Sequence, residues 1–321
     1  MKIYPIFIPH RGCPFNCIFC NQFKITKSGD LQSAPESDLK KFILYNRGKT
    51  RGVAFYGGTF TALPEEEQDY WLEFIRKFRK DLDDIRVSTR PDFIDCRILD
   101  KLKEFGVTTI ETGIQSLHSG VLKKSKRGYS GEKAAESCHL IKRKGFRLGM
   151  QFLPGLPGFS QETWNFTVDK TLEIKPDFVR IYPLLILKDT ELEKLYVKGE
   201  YKPLDLTRAI ELSADAVLRF RKAGIRIAKV GLHSDINKED IVSGPFHPAF
   251  GELIRAELLK RMLVDLDIFK LKYVFFSSKD ESVVRGHGKI ILKDFLDAAT
   301  ERKIEINFDP EITKGSVNGL Y

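Results

Sequence analysis

Short apolar runs alternate along this chain with stretches whose apolar residues recur every three or four positions. Residues 3–8, 53–56, 85–88, 108–111, 148–153 and 178–182 are such runs and predict strands. Between them, residues 65–80 place Trp71, Leu72, Ile75 and Phe78 at helical spacing, and residues 95–105 do the same with Ile98, Leu99, Leu102 and Phe105. Segments 132–144 and 206–223 each end in a basic turn followed by Gly145 or Gly224, the signature of a helix C-terminus. Successive βα units imply a parallel sheet with right-handed crossovers and the helices outside. The expected fold is therefore α/β, a parallel partial (β/α)6 barrel of the TIM type spanning residues 1–235.

Past that point the beat changes. The stretch Ser243-Gly-Pro-Phe-His-Pro-Ala-Phe-Gly251 leads into a helix at 252–263, a strand at 273–276, a helix at 290–299 and a strand at 304–308. Residues 236–321 are expected to form a small C-terminal α/β extension.

Length and composition set bounds. A chain of 321 residues with 42% apolar and 30% charged positions is large enough to bury a core and is not compositionally disordered. The N-terminal residues lack the apolar segment of a signal peptide, and no apolar run reaches the ~20 residues that span a bilayer. The expectation is a soluble, cytoplasmic protein without membrane contact. Lysine and arginine exceed the acids, 53 against 44, so an anionic partner such as nucleic acid fits the net charge of +9.

The five cysteines change the picture most. Cys13, Cys17 and Cys20 crowd one loop after the first strand in a C-x3-C-x2-C spacing, which suits a metal site better than disulfides and implies a reducing compartment. Three thiolates converging on an iron–sulfur cubane leave one iron open to a ligand from outside the protein. A zinc site completed by His10, or plain buried thiols, is the alternative. Cys138 lies on the helical face of Ala134 and Ile141 and is expected to be a buried structural thiol, and Cys96 has no metal-ligand neighbour.

The loop, with aromatic Phe19 before its last cysteine, resembles the cluster loop of the radical S-adenosylmethionine (SAM) superfamily. That resemblance implies a [4Fe-4S] cluster on Cys13, Cys17 and Cys20, with SAM chelated at the open iron and cleaved reductively to a 5′-deoxyadenosyl radical. It also implies an electron donor such as flavodoxin or ferredoxin. Phe19 enters the expected cofactor site beside the cysteines. Tyr56-Gly57-Gly58-Thr59-Phe60 resembles the family's glycine motif, in which exposed backbone meets the cofactor's amino group; glycine permits that approach. Ser88 in Ser88-Thr-Arg-Pro-Asp92 and Gln115 in Thr112-Gly-Ile-Gln-Ser116 follow the third and fourth strands, at the end where barrel active sites gather. By resemblance Gln115 contacts the cofactor ribose and Arg127, in Lys126-Arg127-Gly128, pairs with its carboxylate; the alternative for Arg127 is a solvated helix end. Gln151 stands where many relatives carry a ribose-binding aspartate.

A narrower resemblance covers residues 5 to about 230. The motifs above, together with Arg180-Ile181-Tyr182-Pro183 and the segment 190–201, look like the radical domain of the catalytic subunit of Elongator, a tRNA wobble-uridine modifying enzyme. The tail from 236 is too short for the acetyltransferase domain that follows in Elongator, so its carboxymethylation does not carry over. The resulting expectation is a radical SAM enzyme acting on RNA, most simply tRNA, with Tyr182 as a candidate catalytic or substrate-contacting residue. Two alternatives remain: a radical enzyme on a small molecule, similar to oxygen-independent coproporphyrinogen oxidase, and a non-catalytic metal-bearing RNA-binding protein. Basic runs at 76–80, 123–127 and 142–147 are candidate phosphate contacts, with the second favoured because it adjoins the cofactor site. His233, His247 and His287 are polar positions in the last third without an assigned role.

Overall fold

The computed structural model describes residues 1–8, 13–21, 36–231 and 236–321. Seven strands, β1 (Lys2–Phe7), β2 (Arg51–Tyr56), β3 (Asp84–Thr89), β4 (Thr109–Gln115), β5 (Arg147–Phe152), β6 (Phe178–Ile181) and, after the two-residue β7 (Ile186–Leu187), β8 (Arg226–Val230), build the main sheet. Its order is β1-β2-β3-β4-β5-β6-β8 and every pairing is parallel. This is the expected partial barrel with one strand more than the sequence pattern predicts. The extra strand, Arg226-Ile-Ala-Lys-Val230, is only half-buried and carries two cations, so hydrophobic periodicity alone does not mark it.

The crossover helices begin on side-chain caps that the local sequence supplies. Asp95 accepts from the Ile98 amide, Ser130 from Lys133, and Asp205 from Arg208, while Ser160 and Thr163 form a reciprocal capping box. The helix expected over 65–80 stops earlier, at Glu65–Arg76, and a separate 3-10 turn covers Arg79–Asp81. The principal core lies between sheet and helices and includes Val53, Ile85, Ile110, Leu148 and Val179 from consecutive strands, together with Leu72, Leu99, Ile141 and Val217 from helices. Gly149 is needed in β5 because a Cβ there would meet the Phe178 ring at 2.4 Å.

In the tail, β9 (Ile241–Ser243) pairs antiparallel with β7, and β10 (Tyr273–Ser277), β11 (Glu305–Asp309) and β12 (Val317–Leu320) form a second sheet in the order β11-β10-β12. The helix Phe250–Val264 serves both parts. Phe250, Leu253, Ile254 and Leu258 pack into the barrel core, and Ala256, Leu259 and Leu263 into a second core with Val274, Phe276 and Leu292. No helix among the described residues is long and apolar enough to cross a membrane.

Candidate active site

A cavity of about 650 Å³ opens at the C-terminal ends of the strands. All twelve positions singled out in the sequence line it: Cys13, Cys17, Cys20, Phe19, Gly57, Gly58, Thr59, Ser88, Gln115, Arg127, Gln151 and Tyr182. Residues from six strands or their following turns thus meet at one concave surface, as in barrel enzymes generally.

The thiols occupy one side. Cys17 is buried, and Cys13 and Cys20 are partly exposed. Among the described residues no three His, Cys, Asp or Glu side chains meet closely enough to hold a single ion. A cubane takes each thiolate on a different iron, so three cavity-lining cysteines need not converge on one ion to suit a cluster. His10, the fourth ligand of the zinc alternative, lies outside the described residues, as does His233.

Two arginines hold the middle of the cysteine loop. Arg127 donates to the Cys17 Sγ at 3.2 Å, to the Gly113 carbonyl at 2.7 Å and to the Tyr129 hydroxyl. It is 6% exposed, so it is not the solvated helix end that its sequence allows. The backbone explains why: Lys126 (φ 53°) and Gly128 (φ 79°) are left-handed on either side of it and turn the side chain inward. Burial opposes its charge, yet Tyr129 and the Cys17 thiol outweigh that and hold its pKa above the usual value. Arg90 also reaches the Cys17 Sγ, at 3.7 Å, and pairs with Asp92. Its guanidinium lies 4.2 Å from the Phe15 ring centroid and 5.2 Å from that of Tyr129. Gly128 makes room for this stack, since a Cβ there would stand 2.3 Å from the Phe15 ring.

The glycine turn and Gln115 are specialised backbone. Gly57 adopts φ 95°, and a Cβ would press on the Ile8 carbonyl at 3.3 Å. Gln115 adopts φ 65° at an irregularity in the β4–β5 register, an unfavourable conformation for a residue with a side chain.

Beneath the cavity runs a polar network that pattern reading missed. Glu111 is fully buried and pairs with Arg86 at 2.5 Å and Arg180 at 2.8 Å; it also accepts from Tyr56 and Gln151, each at 3.1 Å. Gln151, set where relatives carry an aspartate, therefore has its amide turned onto Glu111. Tyr182 accepts from Arg180 at 3.4 Å. Burial would raise the Glu111 pKa, but Arg180 and Arg86 together hold it below the usual range. The available signal was a charge inside each of three strands expected to be apolar throughout.

The basic runs are mostly occupied in the fold. Arg76 pairs with Glu73, Lys142 caps the carbonyls of Ile174 and Lys175, and Lys144 pairs with Asp100. In the favoured run Arg127 points inward and Lys126 pairs with Glu191 at 2.6 Å, leaving Lys123 and Lys124 at the surface. His247 and His287 pack edge-to-face at 5.7 Å, with His287 on Glu252. Cys138 is buried beside Thr112, and burial pushes its thiol up to about 12. Cys96 is exposed.

The model of the Radical SAM superfamily matches residues 7–171, just over half of the chain. This chain belongs to the radical SAM superfamily. It is a radical SAM enzyme, and the Radical_SAM C-terminal domain model matches residues 176–260. Among curated relatives, the tRNA uridine(34) acetyltransferase of Methanocaldococcus infernus is 29% identical over 234 residues, covering 64% of this chain and 42% of that protein. Elongator complex protein 3 of Homo sapiens is 30% identical over 224 residues, covering 63% and 40%. The radical SAM chain thus spans about two fifths of these relatives' length. The archaeal Methanocaldococcus infernus Elp3 with an N-terminal deletion superimposes with a TM-score of 0.67 at 23% identity, over 81% of this chain and 63% of that one, and shares the fold.

Proposed function

We propose that this radical SAM enzyme cleaves SAM at a [4Fe-4S] cluster and uses the resulting radical to modify RNA, with tRNA the favoured substrate. The observation that carries the chemistry is the meeting of Cys13, Cys17 and Cys20 with the Gly57–Gly58 turn and Arg127 around one cavity. When bound, the reduced cluster and SAM supply a 5′-deoxyadenosyl radical for hydrogen abstraction or addition.

The chain's own residues have separable tasks. The three cysteines hold the cluster. Gly57, Gly58 and Thr59 offer backbone to the amino group of SAM, Arg127 pairs with its carboxylate, Gln115 and Gln151 take its ribose, and Phe19 and Ser88 complete the wall. Tyr182 faces the substrate. Leu153, Leu184, Leu185 and Leu187 give that side of the cavity an apolar lining that excludes water from reactive species. Residues 236–321 form the C-terminal extension, and a flavodoxin or ferredoxin delivers the electron. For the substrate, the support is the tRNA uridine(34) acetyltransferase among the relatives together with the net charge of +9.

The test is 5′-deoxyadenosine formation by anaerobically reconstituted protein with reductant and SAM, with and without total RNA. Stimulation by RNA supports both parts. Turnover indifferent to RNA keeps the enzyme and moves the substrate to a small molecule. Protein that binds one zinc and no iron overturns the proposal.

A further inference from the structure

Glu111 accepts hydrogen bonds from side chains on four other strands: Tyr56 of β2, Arg86 of β3, Gln151 of β5 and Arg180 of β6. Tyr56, Gln151 and Arg180 line the cavity, while Glu111 is fully buried beneath them. A carboxylate in that place touches no ligand, yet it decides which atoms its neighbours can show to one.

Gln151 is the neighbour with a choice. Its amide carries two donors on Nε2 and an acceptor on Oε1, and half a turn of the group exchanges them. Burial opposes the charge of Glu111, but Arg180 and Arg86 outweigh it and keep the carboxylate ionised, so it can only accept. Gln151 accordingly turns Nε2 onto Glu111 Oε2, at 3.1 Å. The reversed amide would set a carbonyl oxygen against a carboxylate oxygen with no proton between them, in a buried place where that costs most. Glu111 cannot swing away, because Arg180 Nε holds the same Oε2 at 2.8 Å while Arg86 and Tyr56 hold Oε1. Oε1 of Gln151 is then the amide atom left for the cavity. A glutamine held this way offers a ligand what an aspartate would, an acceptor and no donor.

We propose that Glu111 is a positioning residue that makes Gln151 an obligate acceptor, with the carbonyl oxygen aimed at a ribose hydroxyl of SAM. This rests on the reading of the cavity as a SAM site. The oxygen is set before the ligand arrives, so no amide rotation has to be frozen on binding. A site built to receive a hydroxyl proton also rejects a sugar that lacks one.

Two measurements test it. In the unloaded chain, the side-chain NH2 of Gln151, identified in glutamine-labelled protein by its loss in Gln151→Met, should exchange with solvent at least about tenfold more slowly than exposed glutamines. Exchange as fast as theirs overturns the proposal. In cluster-reconstituted protein, calorimetry compares SAM with analogues whose 2′- or 3′-hydroxyl is replaced by fluorine, a group of similar size that cannot donate. Wild type should bind one of the two analogues at least about tenfold more weakly than SAM. Gln151→Met should lose that discrimination, and Glu111→Gln should lose most of it although Gln151 is intact. The double variant Glu111→Gln/Gln151→Glu should regain it, because the new amide donates to the new carboxylate, which stays beside Arg180, the register partner of position 151. A merely structural role for Glu111 weakens all three ligands alike, and that result overturns the proposal, as does discrimination that survives in Gln151→Met. Should Glu111→Gln fail to fold, the exchange rate and the Gln151→Met titration decide alone. Wild type that binds SAM without discriminating overturns the positioning and keeps the SAM reading, whereas cluster-loaded wild type that binds no SAM overturns both.

Discussion

Arg127 and Cys17 stand 110 residues apart in the chain and 3.2 Å apart in space, guanidinium to thiol. The same guanidinium holds the carbonyl of Gly113 and the hydroxyl of Tyr129, so one side chain ties the cysteine loop to the end of β4. Arg127→Lys keeps the charge and loses the fork. SAM affinity of the reconstituted variant, measured by calorimetry, should fall at least about tenfold, and the apoprotein should lose about 2 kcal/mol of stability to urea. Unchanged SAM affinity would remove Arg127 from the proposed cofactor site.

Glu111 makes acid stability a readout of the buried network. Its folded pKa is depressed by Arg180 and Arg86, so its contribution is fully present above the unfolded carboxylate value, about 4.3, and is lost as pH falls through the folded one. Glu111→Gln should cost about 3–5 kcal/mol at neutral pH, because two guanidiniums lose their common anion. Urea midpoints measured from neutral pH downward should then converge with those of wild type in acid. Parallel curves would show that Glu111 is not the titrating group.

Gly128→Ala tests the stack of Arg90 between Phe15 and Tyr129. The new Cβ would overlap the Phe15 ring and force a residue with a side chain into φ 79°, costing about 2–4 kcal/mol together. The cysteine loop should loosen with it, so iron content after reconstitution should drop, and Phe15→Leu in the same chain should restore part of the loss. A variant as stable as wild type would mean that the loop rearranges freely.

The thiols separate by environment. In the apoprotein Cys96 should react first with a thiol reagent, while Cys138, buried and with its pKa pushed up to about 12, should react only on unfolding. Cys17→Ala should abolish the iron complement and visible absorbance after reconstitution, whereas Cys138→Ala should keep both. Retention of full iron by Cys17→Ala would sink the ligand assignment.

Much of this was legible from residue pattern. Six strands and four crossover helices followed apolar periodicity and caps, because burial against a sheet leaves that signature locally. The cavity positions followed motifs placed after strands. The rest depends on conformations and pairings that periodicity does not record. Gln115 reads as a residue after the fourth strand, yet it is the last residue of β4 and adopts φ 65°. Lys126 and Gly128 are left-handed and turn Arg127 out of the run 123–127, whose charge by itself reads as a phosphate contact. Glu111, Arg86 and Arg180 look individually misplaced in apolar strands; only the pairing that sets Arg86 opposite Thr109 and Arg180 opposite Gln151, each two residues along from Glu111 or its partner Gly149, makes them a network. β8 was hidden for a related reason, its two cations lying on a strand that borders the cavity.

The helix Phe250–Val264 has a mechanical consequence. It gives Phe250 and Leu258 to one core and Leu259 and Leu263 to the other, so it has too few polar positions to stand as the surface of either part alone. A chain cut before residue 250 would bare an apolar strip on the barrel, and an isolated tail would carry the matching strip. The two sheets thus share one beam, and any force or ligand that shifts the tail acts through it on the wall of the barrel directly.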